Sequence, residues 1–173
     1  FGFSMYSARY GNIYTVRQLL QLAQEVAGDF KPQNFIWKKN ERFFDALRPA
    51  VEPSGHSSPE EVIEHRQYHI SRVKELFERL DVFIFTLGLT EMWVHKESGT
   101  VYPTAPGTLV GEFDETLYEF QNAQYLSILK EFNMFQAVLK RIRGGKSFKC
   151  LLTVSPVPLT ATASGNHILT STM

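Results

Sequence analysis

Asp81-Val82-Phe83-Ile84-Phe85-Thr86-Leu87-Gly88-Leu89-Thr90-Glu91 decides the fold class of this chain. Its apolar run is unbroken from Val82 to Leu87, too short for a separate helix and rich in β-branched and aromatic residues. Such a run predicts a strand covered on both faces, as in a parallel sheet. Gly88 ends it. Upstream, Ser58-Pro59-Glu60-Glu61 combines a capping serine, proline at the first helical position and glutamate three residues after the cap. A helix is therefore expected from there to about Leu80. Downstream, a long helix is expected over roughly Asn122 to Arg143, with Ala123, Leu126, Leu129, Phe132, Phe135, Val138 and Leu139 inward and Gly144-Gly145 ending it. Lys149 to Val154 is the second buried strand.

Helix, strand, helix and strand in that order describe right-handed crossover units of an α/β sheet, with three layers when helices cover both faces. Thr15 caps an earlier helix whose apolar positions, Val16, Leu19, Leu20, Ala23, Val26 and Ala27, repeat near 3.6, and Gly28 suits the left-handed position after it. Residues 29–57, with three prolines among the aromatics Phe30, Phe35, Trp37, Phe43 and Phe44, are expected to form an ordered excursion without regular elements. Trp93-Val94-His95 and Thr100-Val101-Tyr102 flank a polar turn and suit a hairpin. Residues 103–121 are expected to be irregular.

Ligands of parallel α/β sheets sit beyond the carboxyl ends of the strands. That position falls to Gly88-Leu89-Thr90-Glu91 and to Ser155-Pro156-Val157-Pro158, with Trp93 and Ser155 as candidate substrate contacts. A strand-ending turn with a solvated Glu91 explains the first segment equally well. Tyr10-Gly11-Asn12-Ile13-Tyr14-Thr15 precedes a helix amino end, where free N–H groups suit an oxyanion, although capping alone also accounts for it. Within the helix that starts at Ser58, Arg66 and His69 fall on the arc of Val62, Val73, Phe77 and Leu80. From Arg66 the helix rises about 21 Å and the following strand returns about 20 Å, which predicts that Arg66 and His69 lie level with Glu91 and that Arg66 pairs with it. Bonds from Arg66 to backbone carbonyls, or a guanidinium that snorkels to the edge, are the other outcomes.

Glu61, His65 and His69 repeat at i, i+4, i+8, but the zinc-protease glutamate is missing and Arg66 would repel a cation, so no metal and no cofactor is expected. There is no Gly-rich phosphate loop and no G-x-S-x-G elbow. With 18 basic and 18 acidic residues the net charge is zero, which argues against binding driven by nucleic-acid or membrane charge. Cys150 is the only cysteine, so an internal disulfide is excluded. No apolar stretch approaches bilayer length, and the expectation is a soluble, cytoplasmic chain of undetermined oligomeric state.

Phe1-Gly2-Phe3-Ser4, Arg9-Tyr10-Gly11-Asn12-Ile13-Tyr14-Thr15, Thr86 to Trp93 and Leu152-Thr153-Val154-Ser155-Pro156-Val157-Pro158-Leu159 together resemble the GSCFA family, related to the SGNH/GDSL hydrolases. The resemblance implies an α/β three-layer sandwich with a parallel sheet in flavodoxin-like order. It makes residues 1–173 one partial domain, truncated at both ends. It implies a serine hydrolase of ester bonds, acting through an acyl-enzyme on a small-molecule or glycan ester. A noncatalytic binding or scaffolding domain of the same fold is the alternative. Gly11 or Asn12 would stand for the second family block and Gly88-Leu89-Thr90-Glu91 for the third, making Gly11, Asn12, Gly88 and Thr90 oxyanion candidates and Glu91 a supporting group. Thr90 then replaces an asparagine donor. Arg66 and His69 would buttress the site. The family's serine motif is expected to precede Phe1 and its acid and histidine block to follow Met173, so the piece alone should be inactive.

Overall fold

A computed structural model describes residues 10–155 and 162–165 of the chain. The first helix, α1 (Val16–Ala27), forms where the apolar period places it and is closed at both ends. Thr15 Oγ1 accepts from the Gln18 N–H at 3.2 Å while Gln18 Oε1 accepts from the Thr15 N–H at 3.1 Å, and Gly28 terminates the helix at φ 80°. These reciprocal bonds satisfy N–H groups that a helix start otherwise leaves free.

Residues 29–57 do contain regular structure, contrary to the expectation. β1 (Ile36–Lys39) and β2 (Arg42–Asp45) form an antiparallel hairpin. Its two turn residues, Asn40 and Glu41, both take positive φ, at 48° and 59°, as a tight hairpin turn requires. Glutamate rarely adopts that conformation, which hid the turn. The hairpin is held by burial of Trp37 and Phe44.

α2 (Pro59–Arg79) starts on the Ser58 cap, and Glu61 reaches past it to accept from the Ser57 N–H at 2.7 Å. It leads into β3 (Val82–Leu87), which is followed by β4 (Glu91–His95), β5 (Val101–Tyr102), β6 (Tyr118–Asn122), α3 (Tyr125–Ile142) and β7 (Lys149–Val154). β3 and β7 are parallel, in register from Val82 opposite Lys149 to Leu87 opposite Val154. Trp93 pairs with Tyr102 across the expected hairpin. β4 also pairs with β6 along its other edge, giving a three-stranded antiparallel sheet in the order β5-β4-β6. Residues 118–121 are thus strand within the segment expected to be irregular, and α3 starts at Tyr125 and not at Asn122 because Asn122 is still paired with Glu91.

The architecture is mixed α/β: three helices, one parallel pair and two antiparallel sheets among the described residues. Phe83 and Phe85 face the helices, with the Phe83 ring 4.9 Å from that of Phe135 and 6.4 Å from that of Phe77. Phe135 and Leu139 are fully buried, each contributing about 1.5–3 kcal/mol of transfer free energy. The opposite face corrects the expectation of two-sided burial. Val82, Ile84 and Leu151 are 49%, 62% and 51% exposed, so the described residues cover one side of the pair only.

Candidate functional site at the carboxyl end of the parallel pair

The polypeptide leaves β3 at Gly88 and meets the approach to α1 at once. The Leu89 N–H donates to the Tyr14 carbonyl at 2.8 Å. A Cβ on Gly88 would lie 3.0 Å from that carbonyl oxygen, so glycine is what allows the two backbones to come this close. The next links are also main-chain: the Ala123 N–H donates to the Thr90 carbonyl at 2.9 Å, and the Ser155 N–H to the Leu87 carbonyl at 3.0 Å. The mouth of the parallel pair thereby gathers the segments ending in Tyr14, spanning Gly88 to Glu91 and following β7. Those are segments that the sequence singled out, of which Pro156-Val157-Pro158 lies outside the described residues, and Ala123 bridges to Thr90 from before the helix in which the sequence reading placed it.

Thr90 occupies the interior of this mouth at 6% exposure, and its Oγ1 is buried without a hydrogen-bond partner among the described residues. A buried hydroxyl left unpaired costs roughly 1–3 kcal/mol. Glu91 is half-buried and accepts three hydrogen bonds from the turn at Ala163-Ser164: from the Ala163 N–H at 2.8 Å, the Ser164 N–H at 3.3 Å and the Ser164 hydroxyl at 2.5 Å. Gly88 and Ser155 are half-buried beside them. Trp93, also half-buried, packs edge-on against Phe113 and Phe120 at 5.3 and 5.6 Å between centroids.

Gly11 and Asn12 are exposed on the strand of chain that runs from Tyr10 to Tyr14. Gly11 takes φ 81°, a side chain there would meet Val51 and Arg48, and Tyr10 beside it is buried. The Arg66–Glu91 pair expected from matched helix and strand rises does not form. Arg66 Nε donates to Glu25 Oε1 at 2.7 Å, Nη1 to both Asp45 carboxylate oxygens at 3.0 Å, and Nη2 to the Tyr10 hydroxyl at 3.1 Å and to Glu25 Oε2. Matched rises fix a level along the sheet, not a neighbour across it. Sideways, α2 lies against β2 and α1, which bring Asp45 and Glu25. Arg48 Nε donates to the same Asp45 at 3.2 Å.

This cluster is charge-balanced and buried, and its titrations follow from that. Burial raises the Glu25 carboxyl above its usual range despite the Arg66 charge beside it. Burial also pushes the Tyr10 phenol up to about 12. His69, its ring 5.5 Å from that of Tyr10, is pushed down to about 4 by burial and by the Arg48 and Arg66 charges, so it stays neutral. Arg66 and His69 therefore support the Tyr10 side of the chain, next to Gly11, and not Glu91. Asp45 and Glu25 were missed because nothing local in the sequence marks a partner supplied by another element.

The i, i+4, i+8 set does not converge: Glu61 binds the Ser57 N–H, His65 sets its ring 4.6 Å from that of His56, and His69 turns to Tyr10. Among the described residues no group of three or more His, Cys, Asp or Glu could hold a metal ion. No helix among them is long and apolar enough to cross a membrane. Two open clefts of about 470 and 490 Å³ lie along α3, and neither is lined by residues 88–91.

No curated protein and no solved structure matches the chain. The GSCFA family matches residues 1–173, and the chain belongs to that family.

Proposed function

We propose that this GSCFA chain contributes the oxyanion side of an SGNH-type serine hydrolase, which cleaves small-molecule or glycan esters through an acyl-enzyme in the full-length protein. The observation that carries the proposal is the Thr90 hydroxyl, buried at the mouth of the parallel pair with no partner. A donor held without a ground-state partner is what a developing oxyanion needs. Gly11, Asn12 and Gly88 are the proposed companion donors, and Trp93 and Ser155 line the substrate path. The proposal takes residues 1–173 as part of one three-layer domain of flavodoxin-like order. The open face bearing Val82, Ile84 and Leu151 supports a further layer there.

In the proposed reaction a serine of the full-length protein attacks the ester carbonyl and a histidine takes its proton. The carbonyl oxygen becomes an alkoxide, which accepts hydrogen bonds from Thr90 Oγ1 and the glycine N–H groups. Collapse expels the alcohol, protonated by the histidine, and water repeats the sequence on the acyl-enzyme to release the acid. Thr90→Val in the full-length protein should lower turnover about 10²-fold or more with little change in folding, as loss of one oxyanion donor does. Intact turnover in that variant would make Thr90 structural. Absence of both esterase activity across acyl lengths and labelling by a serine-directed phosphonate would favour the noncatalytic binding domain.

A further inference from the structure

We infer that Glu91 is a positioning residue, which anchors the turn Thr162–Gly165 as one rim of the mouth and so shapes the path of the substrate beyond its reacting carbonyl. The turn is closed by its own Gly165 N–H, which donates to the Thr162 carbonyl at 3.3 Å, with Gly165 at φ 69°. Its Ala163 and Ser164 N–H groups and the Ser164 hydroxyl converge on a single carboxylate. Successive N–H groups of a turn make a concavity for an anion, and here the anion is the protein's own. Bonds to an ionised acceptor are about twice as strong as neutral ones, so a side chain on β4 holds a turn 72 residues further along the chain.

Two placements make the anchor a rim device and not a part of the oxyanion hole. Ala163 and Gly165 are exposed while Thr90 is buried, so the turn meets a ligand at the surface and Thr90 meets it inside. Side chains alternate along a strand, so Glu91 shares its side of β4 with Trp93. The anchored turn and the indole then flank one approach. A rim contact made equally in the ground and transition states appears in KM and leaves kcat unchanged.

The kinetic consequence rests on the hydrolase proposal, and the anchoring does not. In the full-length protein, Glu91→Gln keeps the shape but places an amide N–H₂ toward the donors, and Ser164→Ala removes one donor and leaves the backbone pair. Amide exchange at Ala163 and Ser164 should accelerate about 10-fold or more in Glu91→Gln and less in Ser164→Ala. KM for an extended ester should rise about 10-fold in Glu91→Gln with kcat within about twofold, and KM for a minimal acetyl ester should hardly move. Unchanged exchange in Glu91→Gln overturns the anchor. Faster exchange with KM unchanged overturns the rim role, and a fall in kcat alone would place Glu91 with Thr90. If the unmodified protein hydrolyses no ester, the hydrolase proposal fails, and the exchange result by itself upholds or overturns the anchored turn.

Discussion

Arg66 and Thr90 are both polar, both about as buried as the aliphatic core, and opposite in everything else. Every nitrogen of the Arg66 guanidinium has a partner, drawn from Glu25, Asp45 and Tyr10 on separate stretches of chain. The Thr90 hydroxyl has none. A satisfied buried network fixes how elements pack, while an unsatisfied buried donor is a cost borne for something else. The comparison separates the scaffold around Tyr10 from the chemistry proposed at the end of β3.

The sharpest way to break that contrast is Arg66→Met, which leaves Glu25 buried without its cation and Asp45 with Arg48 alone. Unfolding in urea should show a loss of about 3–5 kcal/mol. The deficit should depend on pH. Glu25 has its folded value raised above the ordinary 4.5, so its contribution to stability is fullest below that value and declines as pH rises through the folded one. Without Arg66 the folded value climbs further, and the variant should be less impaired near pH 5 than near pH 7.5, with a flat difference arguing against a buried Glu25 charge.

Gly88→Ala comes next, with about 1–3 kcal/mol lost, because the new methyl meets the Tyr14 carbonyl at 3.0 Å and the approach of β3 to α1 must widen. Thr90→Val should move stability the other way. Replacing an unpaired buried hydroxyl by a methyl should gain about 1 kcal/mol, and thermal unfolding that shows a loss would reveal a partner for Thr90. The smallest effect at neutral pH is at His69. Its folded value of about 4 lies below the ordinary 6.5, so stability is full above 6.5 and falls as pH drops toward 4. His69→Gln should flatten that part of the stability profile, and an unaltered slope would assign it to other groups.

What could be read in the sequence divides along physical lines. α1, α2, β3 and β7 announce themselves through periodicity, caps and unbroken apolar runs, all of them local. β1, β2 and β6 are short and carry Lys38, Lys39, Arg42, Glu119 and Gln121 among their apolar residues, and they are strands because of what they pair with. The alternation Tyr118-Glu119-Phe120-Gln121 was the available signal for β6. At the mouth, strand ends gave the position of Gly88, Thr90 and Ser155. The partners of Arg66 and Glu91 were out of reach, since Asp45 belongs to a hairpin hidden by an atypical turn and Ser164 to a distant turn.

The register of β3 with β7 also sets an order of events. Thr86 and Thr153, whose hydroxyls lie 2.8 Å apart, are separated by 67 residues, and closing a loop of that length costs about 4 kcal/mol of chain entropy before any strand contact returns it. α1, with its own caps, needs no such closure and can form from neighbouring residues alone. Pairing of this kind is slow and non-local, so the mouth containing Thr90 comes into existence only once this closure is made. Until then Val82–Leu87 is an unpaired apolar strand with the composition of an aggregation-prone segment, and protein concentration during refolding should limit the yield.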